Sequence, residues 1–295
     1  THSDDAVTGE KGACKNAVED MTESAAAQEM KVMIKRAELY GRYGVQPRGT
    51  STAKERISKT IELVKAAEEI ISLLKSDSTA THSAMKSSAD YDEWLARGFH
   101  IWALVLLINR SDGADDEQIK QKATQALELR EAAHNWAGAG DTLNLLGSLS
   151  QRQRGYEEAE HFFEQSLSMR ERVLTRFDPD LGQVQTGLGS LYLEMGRLEE
   201  ADTRYSQAKN VYALSLGANH PRGCFAIEGL AKTYRARGEL AKARLLALDV
   251  VRIRRMALGA EHKLYLKAKA YLDTLPETTV DVNKSGVASE SGFAP

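Results

Sequence analysis

Several groupings in this 295-residue chain have the residue types that chemistry needs. Glu157/Glu158 and Glu199/Glu200 are adjacent carboxylates, the raw material of a general acid and base. His220 and His262 are candidate metal ligands, and Cys224, with Arg222 nearby, has the cationic neighbour that activates a thiolate. Gly9-Glu10-Lys11-Gly12-Ala13-Cys14-Lys15 has the glycines and lysine of a phosphate-cradling loop. Asn109-Arg110-Ser111 and Asn283-Lys284-Ser285 fit the glycosylation acceptor pattern.

What these groupings do depends on the elements that carry them, and those elements repeat. Ala159, Ala201 and Ala243 stand 42 residues apart, as do Leu146, Leu188 and Leu230. Leu174, Leu216 and Leu258 keep the 42-residue step, and so do Asp178, His220 and His262. A period of this length is the mark of one supersecondary unit copied and stacked. The glutamate pairs fall in the first turn of the second helix of each copy, where negative charge favours the helix dipole. The two histidines occupy equivalent positions between copies, which predicts a capping or loop-bonding role. Cys224 has no histidine nearby in sequence and reads as a small buried apolar residue. The glycine-rich segment lacks both the Gly-Lys-Ser/Thr ending and a preceding strand. No catalytic set, cofactor site or metal site is expected.

Within each copy the apolar spacing is helical. Leu188, Gly189 and Tyr192 form one helix face, and Ala201, Tyr205 and Ala208 form another, with Gly196 between them where the chain must reverse. The third copy reads Leu230, Ala231, Tyr234, Gly238, Ala243, Ala247, Val250. The first reads Leu146, Gly147, Ser150, Arg154, Ala159, Phe163, Ser166, with its turn glycine displaced to Gly155. Small residues alternate with large ones because two antiparallel helices must approach closely.

This order of columns resembles the tetratricopeptide repeat, whose usual period is about 34 residues. The longer form, with an Asp/His-Pro step between units, is similar to the kinesin light chain type. That step is Phe177-Asp178-Pro179, Asn219-His220-Pro221 and, without its proline, Glu261-His262-Lys263. Gly155-Tyr156-Glu157-Glu158-Ala159-Glu160 also resembles that family's second-helix start. The resemblance covers residues 139–275. It implies an all-α fold, a right-handed superhelical solenoid of antiparallel helix pairs. Of the asparagines with which kinesin light chains clamp cargo, only Asn144 is present, and no sustained heptad stretch exists for pairing with a heavy chain.

Composition agrees with a helical chain: 42% hydrophobic, 27% charged, five prolines and a formal charge of −3. That balance gives no reason to expect nucleic acid or an anionic membrane. Two widely separated cysteines suit a reducing compartment, cytoplasmic or organellar, and no apolar run is long enough to span a bilayer. An opening at Thr1 is the expectation for an excised fragment or for a mature chain that has lost a targeting peptide. Residues 1–20 are read as a disordered segment and 21–76 as an N-terminal helical hairpin that caps the stack. Residues 77–89 are a linker and 90–275 the solenoid, with a degenerate repeat before the three clear ones and a capping helix at 263–275. Residues 276–295 are a flexible tail. Gln125 to Glu131 resembles Gln165 to Glu171, which marks the degenerate copy.

In a stack of helix pairs the first helices line a concave face where ligands lie. By helical period Asp141, Asn144, Ser148, Gln151 and Arg152 face it in the first copy. Gln183, Thr186, Ser190 and Glu194 do so in the second, and Phe225, Glu228, Lys232 and Arg235 in the third. Such a groove suits an extended peptide, held by side-chain amides and by Lys232/Arg235 on a carboxylate. The expected function is a non-catalytic scaffold or adaptor for a protein or peptide partner. The alternatives are a structural subunit of a large, possibly organellar assembly and the regulatory region of a larger signalling enzyme.

Overall fold

The computed structural model describes residues 28–38, 52–76, 88–109 and 116–277. All regular structure among the described residues is helical. The helices are α1 (28–38), α2 (Ala53–Ser76), α3 (Ser88–Asn109), α4 (Asp116–Ala132), α5 (Trp136–Arg152) and α6 (Tyr156–Glu171). They continue with α7 (Pro179–Glu194), α8 (Leu198–Leu216), α9 (Gly223–Ala236), α10 (Leu240–Leu258) and α11 (Lys263–Asp273). The expected disordered N-terminus, residues 77–87 of the expected 77–89 linker, residues 278–295 of the expected 276–295 tail and the glycine-rich segment around Cys14 lie outside the described residues, while residues 88 and 89 open α3. The chain divides into two compact units, Thr1–Leu149 and Ser150–Pro295, and the division falls inside α5.

In the first unit α2 starts at a reciprocal cap. The Thr52 hydroxyl accepts from the Glu55 amide at 3.2 Å, and the Glu55 carboxylate accepts from the Thr52 amide at 2.9 Å. Apolar residues at helical spacing then bury one stripe of each helix: Met30, Ile34 and Ala37 on α1, and Val64, Ala67 and Ile71 on α2. The stripe of α3 is broader, taking in Phe99, Trp102 and Leu106. Gly98 lets α3 come close, since a Cβ there would lie 3.2 Å from Val64 and 3.8 Å from Ile34. Arg130, near the end of α4, is buried and donates to the Gly138 carbonyl and the Thr142 hydroxyl, both at 2.8 Å.

In the second unit the copies show their period in backbone geometry. At the end of α7, Gly196 (φ 75°) sits in the left-handed region while Arg197 N–H reaches back to the Tyr192 carbonyl. At the end of α9, Gly238 (φ 81°) and Glu239 N–H to Tyr234 repeat this turn. In the first copy the left-handed residue is Arg154 (φ 62°), not Gly155, whose φ is −78°. This corrects the expectation of a displaced glycine. The turn keeps its column, and a side chain accepts the strain there because Gly155 N–H closes the same bond to the Ser150 carbonyl.

The starts of the first helices are equally regular. Asp178 Oδ1 accepts from Asp180 N at 2.9 Å, with Pro179 at the first helical position of α7. His220 Nδ1 accepts from Arg222 N and His262 Nδ1 from Leu264 N, each at 3.2 Å. Three residues 42 apart thus make one bond with three side chains, as their period predicted.

The packing between copies pairs a ring with a gap. Gly187 on α7 lies under the Phe163 ring of α6, and a Cβ there would meet it at 2.8 Å. One copy on, Gly229 of α9 lies under Tyr205 of α8, and a Cβ would fall 2.2 Å from the ring. One copy further the sizes invert: Ala247 on α10 packs with Tyr271 on α11. The buried cluster around these rings includes Val184, Leu188, Leu191, Tyr192, Ala201 and Leu230. Each fully buried large side chain contributes about 1.5–3 kcal/mol.

Helix α11 ends this packing. Cys224, Ile227 and Ala231 of α9 are buried, whereas their equivalents 42 residues on, Leu266, Lys269 and Asp273, are exposed. The outer face of α11 thus mixes charged Lys269 and Asp273 with an exposed Leu266.

Candidate partner-binding face

The first helices of the second unit present a row of polar side chains that bond across helix boundaries. Gln151, at the end of α5, donates from Nε2 to Ser190 Oγ at 3.0 Å and to Glu194 Oε1 at 2.7 Å. Arg235 of α9 repeats the first of these contacts further along, donating to Thr274 Oγ1 at 3.1 Å. Gln151 and Arg235 are two periods apart, and so are Ser190 and Thr274. Thr186 donates to the Gly182 carbonyl of its own helix at 2.7 Å. Gln183 is half-buried and Arg152 exposed. In the first unit, Asn144 is half-buried and its carbonyl accepts from Ser148 Oγ at 2.9 Å.

Two tyrosines from the second helix α8 reach this face through glycine gaps. The Tyr205 ring lies between Gly189 and Gly229, where a Cβ would come within 2.9 Å and 2.2 Å of it, and its hydroxyl is turned toward Ser190. Burial pushes this phenol well above its ordinary range. Tyr212 packs on Gly182, where a Cβ would meet the ring at 3.0 Å, with its hydroxyl turned toward Thr186. Burial raises its hydroxyl too. Neither residue is foreseen by the first-helix period, because both belong to the other helix of the pair. The glycines that admit them are the only sequence signal.

Glu228 has a partner that its spacing does not suggest. Glu228 accepts from Arg254 of α10 at 2.8 Å, and Arg254 has only 1% of its side chain exposed. The same guanidinium donates to the Leu264 carbonyl at 3.1 Å, in the first turn of α11. Glu228 is therefore the counter-ion of a buried charge, with its other oxygen 3.5 Å from Lys232 Nζ. Lys232 and Arg235 remain exposed, with Arg235 Cζ 5.8 Å from the Tyr271 ring centre. Phe225 is 48% exposed, and the Arg254 guanidinium lies 5.5 Å from its ring. Arg170 on α6, two periods before Arg254, is also buried and donates to the Asp180 carbonyl at 2.6 Å.

The groupings that looked catalytic are placed by structure. Glu157/Glu158 and Glu199/Glu200 occupy the first turns of α6 and α8. The Glu200 carboxyl is held below its ordinary value by its hydrogen bond with Arg197. Cys224 is buried against Ile227, Val250 and Ile253, and burial pushes its thiol up, the opposite of activation. Among the described residues no group of three His, Cys, Asp or Glu side chains is arranged to hold a metal, and no helix is long and apolar enough to cross a membrane.

A layer of paired helices with a bonded polar first-helix face is the architecture of a helical-repeat protein. Residues 180–256 match one tetratricopeptide repeat family, and residues 140–180 match a second tetratricopeptide repeat family. Residues 140–256 thus match tetratricopeptide repeat models, here with a step of 42 residues. Among solved structures the chain is similar to a putative kinesin light chain with nearly identical TPR-like repeats from Podosopora anserina. That match has 17% identity and a TM-score of 0.50, covering 78% of this chain and 96% of that one. BtubC (BKLC) from P. vanneervenii matches at 12% identity and a TM-score of 0.56, covering 83% of this chain and 96% of that one. Pseudomonas aeruginosa pilF matches at 13% identity and a TM-score of 0.51, covering 90% of this chain and 100% of that one. Identities this low speak to the fold. A comparison with curated proteins gives no match.

Proposed function

We propose that the chain is a non-catalytic scaffold that holds an extended segment of a partner protein along the first-helix face of α7 and α9. The supporting observation is the row of accessible polar ends there: Gln183, Thr186 and Ser190 on α7, and Lys232 and Arg235 on α9, with Phe225 exposed beside them. Amide and hydroxyl groups satisfy a peptide backbone, the two cations suit an acidic side chain or a terminal carboxylate, and the ring takes an apolar one. The histidines and glutamates that might have formed a catalytic site are spent on helix starts, and Cys224 is spent on the core.

The test is affinity purification of the full-length protein beside a Phe225→Ala/Lys232→Ala/Arg235→Ala variant. A partner bound through this face is lost, or weakened about tenfold or more, in the variant. If every partner survives unchanged the reading fails, and a subunit built into an assembly through other surfaces takes its place.

A further inference from the structure

The net charge of −3 conceals an internal division. Residues 150–203 hold six Lys and Arg against eleven Asp and Glu, whereas residues 204–273 hold fourteen against five. Part of this positive charge surrounds a cleft of about 230 Å³ on the second-helix side, between α8 and α10. Its floor is apolar, formed by Ala213, Ile227, Leu246 and Ile253, and Lys209 and Arg252 stand at its rim. Lys209 has no ion pair among the described residues. Arg252 meets Asn219 at 3.3 Å and Asp249 at 3.5 Å with about half its side chain exposed, so its charge still faces outward. Near the ends of the two flanking helices, Leu214 (69% exposed) and Met256 (76% exposed) occupy the same place in successive copies. Arg255, beside Met256, is exposed and likewise has no ion pair among the described residues.

We infer that this α8/α10 cleft is a second docking surface, for an acidic amphipathic protein segment in which Asp or Glu alternates with Leu-like side chains. The floor takes an apolar side chain, the flanking Leu214 and Met256 extend that contact, and Lys209, Arg252 and Arg255 meet the carboxylates. Charge complementarity favours an acidic ligand. The apolar floor favours protein over nucleic acid, since no aromatic side chain lines the cleft to stack on a base. This surface is separate from the first-helix face, and the experiment keeps the two apart.

The probe is a fluorescein-labelled amphipathic peptide of Glu, Asp and Leu, titrated against the full chain by fluorescence anisotropy. Two sister peptides carry Leu→Ser and Glu/Asp→Lys exchanges. The first peptide binds, and both sisters bind about tenfold more weakly or not at all. Lys209→Glu with Arg252→Glu, both surface changes, lowers affinity for the first peptide about tenfold, and Ala213→Trp, which fills the cleft without altering charge, does the same. Thermal unfolding of each variant reports whether it has folded. Phe225→Ala/Lys232→Ala/Arg235→Ala, on the opposite face, leaves affinity within about twofold. Equal binding of the Leu→Ser peptide, or full competition by an oligothymidylate, would mean diffuse charge attraction and overturns the inference. So does unchanged binding to folded Ala213→Trp, or no binding of the first peptide.

Discussion

The second and third copies fill the same place with different chemistry. In one, the neutral Tyr212 hydroxyl of α8 is turned toward Thr186 of α7; in the other, Arg254 of α10 pairs with Glu228 of α9 at 2.8 Å. Both residues of the second pair stand 42 positions after their counterparts. A neutral hydrogen bond is worth about 1 kcal/mol net. A buried ion pair adds little over an apolar replacement, yet removing one partner strands a charge. What the repeat fixes is therefore the coupling between the two helices, while the groups that make it are free to change together.

The sharpest test of that contrast is Glu228→Ala. It leaves the Arg254 guanidinium buried without its carboxylate and is expected to destabilise by about 3–5 kcal/mol, read from urea unfolding. Adding Arg254→Met should restore most of the loss. If the single change is as mild as Thr186→Val, the ion pair does not hold these helices together.

Gly229→Ala follows, at about 1–3 kcal/mol, because the new methyl group runs into the Tyr205 ring and neither helix has room to yield. A denaturant midpoint unchanged from the parent would place the ring elsewhere. Alkaline pH probes the same ring. In the folded protein the Tyr205 hydroxyl ionises above its ordinary value of 10, so the fold keeps its proton while the unfolded chain loses it. Stability is full below pH 10 and falls above it, by up to about 1.4 kcal/mol per pH unit for this group. Urea midpoints measured across that range should fall less steeply in Tyr205→Phe.

Smaller effects come next. Tyr212→Phe, which removes a neutral hydroxyl turned toward Thr186, should cost at most about 1 kcal/mol in the same assay. Arg154→Gly relieves a left-handed side-chain residue and should stabilise by a few tenths to about 1 kcal/mol, since the glycine's extra unfolded freedom offsets part of the gain. A loss of stability instead would show that the Arg154 side chain contributes more than its backbone strain costs.

The fold was legible because repetition multiplies weak signals. Leu188 or Ala201 alone says little, but the same residues every 42 positions fix the helix pair and its turn. The capping role of His220 and His262 came from the same source. Spacing on α9 places Glu228 on a first-helix face but could not give its partner, because Arg254 arrives from α10 and helical period carries no information about a neighbouring helix. Tyr205 was legible as a packing residue of the second helix, but its reach to the first-helix face, and that of Tyr212, was not, for the same reason. Arg154 escaped because glycine is the expected occupant of a left-handed turn and one stood next door. The charge division was hidden by the total, in which the acidic and basic stretches nearly cancel.

The alternation of rings and gaps has a consequence for how the chain finds its structure. Phe163 needs Gly187, Tyr205 needs Gly229, and Ala247 needs Tyr271. The first two steps, each a ring on a glycine, are alike, but α11 docked one copy early would set Tyr271 against the Tyr205 ring, and α9 docked one copy late would set Gly229 against Ala247. Near-identical repeats in tandem are prone to such misassembly, because any unit can seat on any other. Here the inversion at the last step acts as a key that α11 alone fits, so that the packing of sizes marks which helix must close this end of the described stack.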